Sequence, residues 1–156
     1  SGEEKGLLGS KYYTDNPVYP LNNTIANLNI DMIGRLDDWH STGNYVYLIG
    51  SDRLSYDLHN INEEVNNKYT KLDLDYKYND EKDPNRYYYR SDHYNFAKNN
   101  IPVIFYFNGV HEDYHRPSDT IEKLDFSKIK TISKLVFLTA WELANREEKI
   151  KLREDL

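Results

Sequence analysis

Apolar positions along this chain repeat with a period near two in some stretches and near 3.6 in others, which predicts strands interleaved with helices. Ile25 to Ile30 alternates between polar clusters, and Tyr45 to Ile49 is a β-rich apolar run stopped by Gly50; both suit a sheet interior. Leu54, Leu58, Ile61 and Val65 recur at spacings of four, three and four, which marks one face of a helix over 54–69. Leu72, Leu74, Tyr76 and Tyr78 alternate with polar neighbours, the pattern of a half-exposed edge strand. Val103 to Phe107, opened by Pro102, reads as the most buried strand. A last helix over 127–146 is carried by Ile129, Ile132, Leu135, Val136, Leu138 and Leu143.

Between these lie smaller pieces. Leu7 to Tyr13 predicts a short helical turn after a Gly2-Glu3-Glu4 corner, and 15–23, with Pro17 and Pro20, predicts a loop. Asn79 to Asn85 is polar loop. Ser91 is placed to cap a helix that runs to Asn99 and ends at Asn100, ahead of Pro102. The alternation predicts a three-layer α/β/α sandwich with a mostly parallel central sheet, whose functional groups sit in loops beyond the strand ends. The four strands leave a sheet with at least one unpaired side, as expected if an N-terminal portion is missing.

Composition narrows the function. The 156 residues suit one domain and include no apolar run near the roughly 20 residues that cross a bilayer. A net charge of −6 argues against nucleic acid as a partner. With no Cys, any metal has to be held by His, Asp and Glu. The 15 Tyr accompany an excess of Asn, Asp and Lys and read as compositional bias. The chain opens on Ser1-Gly2-Glu3-Glu4 with neither initiator Met nor leader, which reads as a cut end.

His111-Glu112-Asp113-Tyr114-His115 matches the H-E-x-x-H pattern of helical zinc proteases. That motif works only on a helix, where residues four apart share a face. Here Gly109 precedes it and Pro117 follows, so a loop is predicted and the match is set aside. A second constellation lies at strand ends. Glu3 and Glu4 are adjacent carboxylates at a Gly-marked corner, and Asp31 follows the strand over 25–30. Arg90-Ser91-Asp92-His93 opens a helix, and His115 follows the strand over 103–107. Helix capping by Ser91 and Asp92 and loop capping by Asp119 are the structural alternatives. Tyr106 and Phe107 suit core positions better than a side-chain pocket.

Four segments taken together resemble metallopeptidase family 28. They are Glu3-Glu4-Lys5-Gly6-Leu7-Leu8-Gly9-Ser10, Asn29-Ile30-Asp31-Met32-Ile33-Gly34, Ser91-Asp92-His93 and His115-Arg116-Pro117-Ser118-Asp119-Thr120, in the family's order and spacing from Gly2 to about Leu143. The resemblance implies that residues 1–156 are the C-terminal part of one zinc-exopeptidase catalytic domain. It implies an aminopeptidase that removes N-terminal residues from peptides at two zinc ions joined by a bridging carboxylate. Carried over by motif, Glu3 is the general base, Glu4 and His115 share one zinc, and Asp31 binds the other. Asp92 and His93 lie beside the site, orienting ligands or meeting the substrate, and Asp119 fixes the His115 loop or its imidazole tautomer. The family's first His-x-Asp motif and its bridging Asp precede the Glu-Glu pair, and nothing precedes it here. The fragment alone is therefore expected to be inactive and to bind zinc weakly.

Three other readings stay open. A glutaminyl cyclase of the same fold uses one zinc, but its final His sits in Trp-His-Thr rather than His-Arg-Pro-Ser-Asp-Thr. A receptor-like domain would have lost its metal residues, whereas Glu3, Glu4, Asp31 and His115 are all present. Carboxypeptidase or dipeptidase specificity is not separated from aminopeptidase specificity. The resemblance also implies export to the periplasm, cell surface or medium.

Overall fold

The computed structural model describes residues 1–155. Four strands form one sheet: β1 (Asn27–Ile30), β2 (Tyr45–Ile49), β3 (Asp73–Asp75) and β4 (Val103–Phe107), in the order β1-β4-β2-β3. β1 pairs parallel with β4 and β2 parallel with β3, while β2 meets β4 antiparallel through Tyr47 opposite Phe107 and Ile49 opposite Phe105. The predicted parallel character thus holds for two of the three pairings.

Strand alternation sorts side chains to two faces. Val46 and Leu48 of β2 and Ile104 and Tyr106 of β4 enter an aliphatic cluster. It is closed by Leu58, Ile61 and Val65 of α2 (Tyr56–Val65) and Ile132, Leu135, Val136 and Leu143 of α4 (Phe126–Asn145). Burying each such side chain stabilises the fold by about 1.5–3 kcal/mol. Tyr45, Tyr47, Ile49, Val103, Phe105 and Phe107 face the other way, into a cluster with Tyr78, Tyr87, Tyr88 and Ala97. On that side α3 (His93–Ala97) packs on β1 and β4, and α1 (Leu8–Asp15) packs on α3. The three layers expected from the sequence are present.

Several boundaries differ from expectation. α2 starts at Tyr56, capped by the Ser55 hydroxyl, which accepts from Leu58 N at 3.3 Å. After Val65 the chain widens into one π turn over Asn66–Thr70 and stops at left-handed Lys71. Asn66 enforces that stop, because its amide donates to Leu72 O and its carbonyl accepts from Leu72 N and the Thr70 hydroxyl. The predicted edge strand is only three residues long, and Tyr78 instead leaves the sheet in a 3₁₀ turn to join the aromatic cluster. Tyr106 is fully buried with its hydroxyl on Asn62, so it belongs to the core, whereas Phe107 is buried yet reaches the cavity described below. No helix among the described residues is long and apolar enough to cross a membrane.

Candidate metal centre

Glu3 and Glu4 open a 3₁₀ turn, Glu3–Lys5, between two left-handed glycines, Gly2 at φ 74° and Gly6 at φ 101°. An L side chain is strained at either position, so these glycines are what lets the chain make the corner. Gly6 N and Leu7 N both donate to Glu3 O, at 3.0 and 2.8 Å, which fixes the turn. Successive residues of a 3₁₀ turn point about 120° apart, so neighbouring carboxylates take different directions. Both line an open cavity of about 490 Å³ that also receives Asp31, His115 and Asp119.

Asp31 follows β1 directly, and Met32 at φ 57° turns the chain away from the sheet. Its carboxylate is held by a relay in which Asn29 Nδ2 donates to Ser91 Oγ at 2.9 Å and Ser91 Oγ donates to Asp31 Oδ2 at 2.9 Å. The Ser91 hydroxyl is thus spent on Asp31, and it does not cap α3 as expected from sequence; α3 begins at His93 with no side-chain cap. Asp92 accepts from Ser10 Oγ at 2.6 Å, and Asn95 donates to Ser10 Oγ and to Leu7 O. These bonds lock the Glu-Glu corner and α1 onto α3.

The His111-to-His115 segment is a string of turns, with Tyr114 N on His111 O and Arg116 N on Asp113 O. Its two histidines diverge, as a loop allows and a helix does not. His115, at φ 56° and stacked on Tyr114 at 3.9 Å, brings Nε2 to 3.0 Å from Glu4 Oε1. His111 Nε2 instead lies 3.8 Å from Asp119. Arg35 explains the loop's shape, donating Nη1 to Asp119 and Nη2 to Asp113, each at 2.7 Å. Lys123 donates to both oxygens of Asp113 at 2.8 Å. Lys123, Ser118 and Arg35 hold the Asp113 carboxyl well below the usual range.

Asp119 makes no bond to the His115 imidazole; it anchors the same loop through Arg35 and through its own N–H on Arg116 O at 3.1 Å. His93 does not face the cavity, because it is fully buried and stacked on Phe105 at 4.6 Å. Burial pushes its imidazole down to about 3, only partly opposed by the Tyr88 backbone beside it. Sequence reasoning missed Ser10, Asn29, Asn95 and Arg35. Asn29 was findable, since it stands on β1 two residues before Asp31, and strand alternation carried one step past the strand end puts the two on one side.

The donor set fits zinc. Tetrahedral ligands about 2.0–2.1 Å from a zinc ion lie roughly 3.3 Å apart, close to the 3.0 Å between His115 Nε2 and Glu4 Oε1. Asp31 does not join them in one compact group among the described residues. His111, Asp113 and Asp119 are the compact trio of possible donors among the described residues, but Arg35 and Lys123 already neutralise its carboxylates. For the Glu3 carboxyl, partial burial and then the Asp31, Glu4 and Asp92 charges raise the pKa above its ordinary value.

Carboxylates and an imidazole gathered beyond the carboxyl ends of parallel β1 and β4 define an α/β protein with a divalent-metal donor set. The chain belongs to peptidase family M28, whose model matches residues 1–140. Proteins named "Probable leucine aminopeptidase" from Arthroderma benhamiae and Trichophyton verrucosum are each 33% identical over 148 residues, covering 92% of this chain. The chain spans 37% of the length of those relatives. Solved structures share the fold. The zinc aminopeptidase BSAP from Bacillus subtilis superposes with a TM-score of 0.71 at 22% identity, over 97% of this chain and 34% of its own. An aminopeptidase from an Aneurinibacillus strain gives 0.69 at 19% identity, over 100% and 33%. A Porphyromonas gingivalis glutaminyl cyclase gives 0.61 at 20% identity, over 91% and 48%.

Proposed function

We propose that the protein containing this chain is a two-zinc aminopeptidase that hydrolyses N-terminal residues from peptides. The observation that carries the reading is the convergence of Glu3, Glu4, Asp31 and His115 on one cavity at the strand ends. The names of the relatives and family membership support it. Glu4 and His115 hold one zinc and Asp31 the other. When bound, the zinc pair polarises the scissile carbonyl and acidifies the attacking water. Glu3 takes the water proton and returns it to the leaving amine. Ser91 orients Asp31, Asp92 fixes the Glu3 corner through Ser10, and Asp119 sets the His115 loop through Arg35. His93, away from the cavity, has no part in substrate contact.

A zinc site takes about four ligands, so the three donors assigned here leave both ions incomplete. Residues 1–156 alone therefore bind zinc weakly and do not turn over, and a longer version supplies the remaining ligands. Export, implied by the family resemblance, belongs to the same proposal and is tested by cell fractionation. The deciding experiment compares zinc content and hydrolysis of leucine amide for residues 1–156 and for the longer protein. Two bound zinc ions and cleavage only in the longer form support the reading. Glu3→Gln in that form should lower kcat by about 10²–10⁴ with zinc retained. Absence of metal from both forms favours a receptor-like domain, and cyclisation of N-terminal Gln in place of cleavage favours a glutaminyl cyclase.

A further inference from the structure

We propose that the cavity reads a carboxylate on its substrate through Arg90, so that preferred peptides carry an acidic N-terminal side chain or a free carboxyl end near the scissile bond. The inference rests on the aminopeptidase reading and adds the class of peptide.

Among the described residues the cavity wall carries four carboxylates, those of Glu3, Glu4, Asp31 and Asp119, and Arg90 is its one Lys or Arg. Arg35 and Arg153 are held in ion pairs, whereas Arg90 makes none among the described residues. Its backbone is fixed, while its side chain is exposed. The Arg90 N–H donates to Tyr87 O at 3.0 Å, and the next residue is the buried Ser91 that holds Asp31. The guanidinium lies over the Tyr87 ring at 5.0 Å and donates Nη1 to Asn85 O at 3.4 Å. Tyr87 lines the same cavity, beside Phe105 and Phe107.

A guanidinium offers five N–H donors in a planar fork that matches a carboxylate, and the bond to Asn85 uses one of them. In the zinc-loaded form Glu4 and Asp31 would be neutralised by the ions they hold, and Arg90 is the side-chain cation on the cavity wall left to pair with a substrate carboxylate.

The test uses the longer, zinc-loaded protein and two matched pairs. Leu-Gly against Leu-Gly-amide changes only the terminal charge, and N-terminal Glu against Gln on one anilide leaving group changes only the side chain. The expected result is a kcat/KM at least about tenfold higher for the charged member of one pair, the scale of one charge-assisted hydrogen bond. That ratio should collapse in Arg90→Gln and survive in part in Arg90→Lys. The responding pair identifies the source of the carboxylate. Equal rates within both pairs, or a preference that persists in Arg90→Gln, overturn the proposal. If the wild type cleaves none of the four, the aminopeptidase reading fails. Calorimetric binding of leucine against leucinamide and of glutamate against glutamine to wild type and Arg90→Gln then decides the carboxylate site alone: tighter binding of the charged member of either pair, lost in the variant, upholds it, and equal binding within both pairs overturns it.

Discussion

The two faces of the sheet draw on the same strands, β2 and β4, yet one is aliphatic and the other is aromatic and polar. On the first, Val46, Leu48, Ile104 and the helices α2 and α4 pack around Tyr106, whose hydroxyl, with that of Thr139, is bonded to the buried Asn62. On the second, Tyr45 and Tyr47 bring hydroxyls into the interior, and both donate to Asp37, a buried carboxylate also bonded by His40. Burial pushes the Asp37 carboxyl up, but the Tyr47 and His40 bonds outweigh it and the group lies below its ordinary value. The difference follows from what each face supports. The aliphatic face closes the fold, and the aromatic face lies under the loops that carry the proposed ligands, where rigid rings and fixed hydrogen bonds set positions that aliphatic packing leaves loose.

The largest contrast comes from truncating one face and deleting only a hydroxyl on the other. Leu135→Ala opens a cavity at a fully buried site and should cost about 2–5 kcal/mol. Tyr47→Phe keeps nearly all its volume, removes the 2.6 Å bond to Asp37, and should cost about 1–3 kcal/mol. Denaturant unfolding of both variants measures this. A Tyr47→Phe variant as stable as the wild type would mean that the polar network contributes nothing beyond packing, and the contrast between faces would fail.

A smaller effect separates stability from site geometry. Ser91→Ala removes the hydroxyl that receives from Asn29 and donates to Asp31. Losing such a partner of a metal ligand typically weakens metal affinity by about 10–100-fold. In the longer protein, zinc affinity should fall on this scale while Leu135→Ala leaves the folded protein's zinc affinity unchanged. Equal affinities in wild type and Ser91→Ala would remove Asp31 from the ligand set.

The aliphatic face was legible from sequence because helical and strand periodicity are statements about apolar side chains, and the spacing of Leu58, Ile61 and Val65 reports directly on burial. Strand positions and helix counts followed from it. Periodicity does not say which way two strands run, so the antiparallel β2–β4 pairing was not foreseen. Residues of the site were legible only through their motifs, and their local roles were harder. A Ser ahead of a helix reads as a cap, yet Ser91 serves Asp31, a partner 60 residues away. The histidine of Ser-Asp-His reads as a ligand-side group, yet His93 is buried against Phe105. Arg35 escaped notice because its partners, Asp113 and Asp119, are 78 and 84 residues distant. Long-range polar pairing leaves no period in the chain.

The smallest expected effect tests the aromatic face through pH. His93 is fully buried, stacked on Phe105, and its imidazole is pushed down to about 3 by burial. In the unfolded chain the same group titrates near its ordinary value of 6.5. Below that value the unfolded state takes up a proton that the folded state refuses, so stability falls as pH drops through the window from about 6.5 to about 3 and is untouched above it. The loss is at most about 1.4 kcal/mol per pH unit inside the window. His93→Phe replaces the ring with one that neither titrates nor needs a hydrogen-bond partner, against a neighbour that is already Phe. Its stability between pH 7 and pH 5 should therefore decline less than the wild type's, by about 1–2 kcal/mol, in paired denaturant titrations at each pH. Parallel declines in the two proteins would show that the buried imidazole accepts its proton in the folded state, and that this part of the aromatic face is a polar pocket and not a dry one.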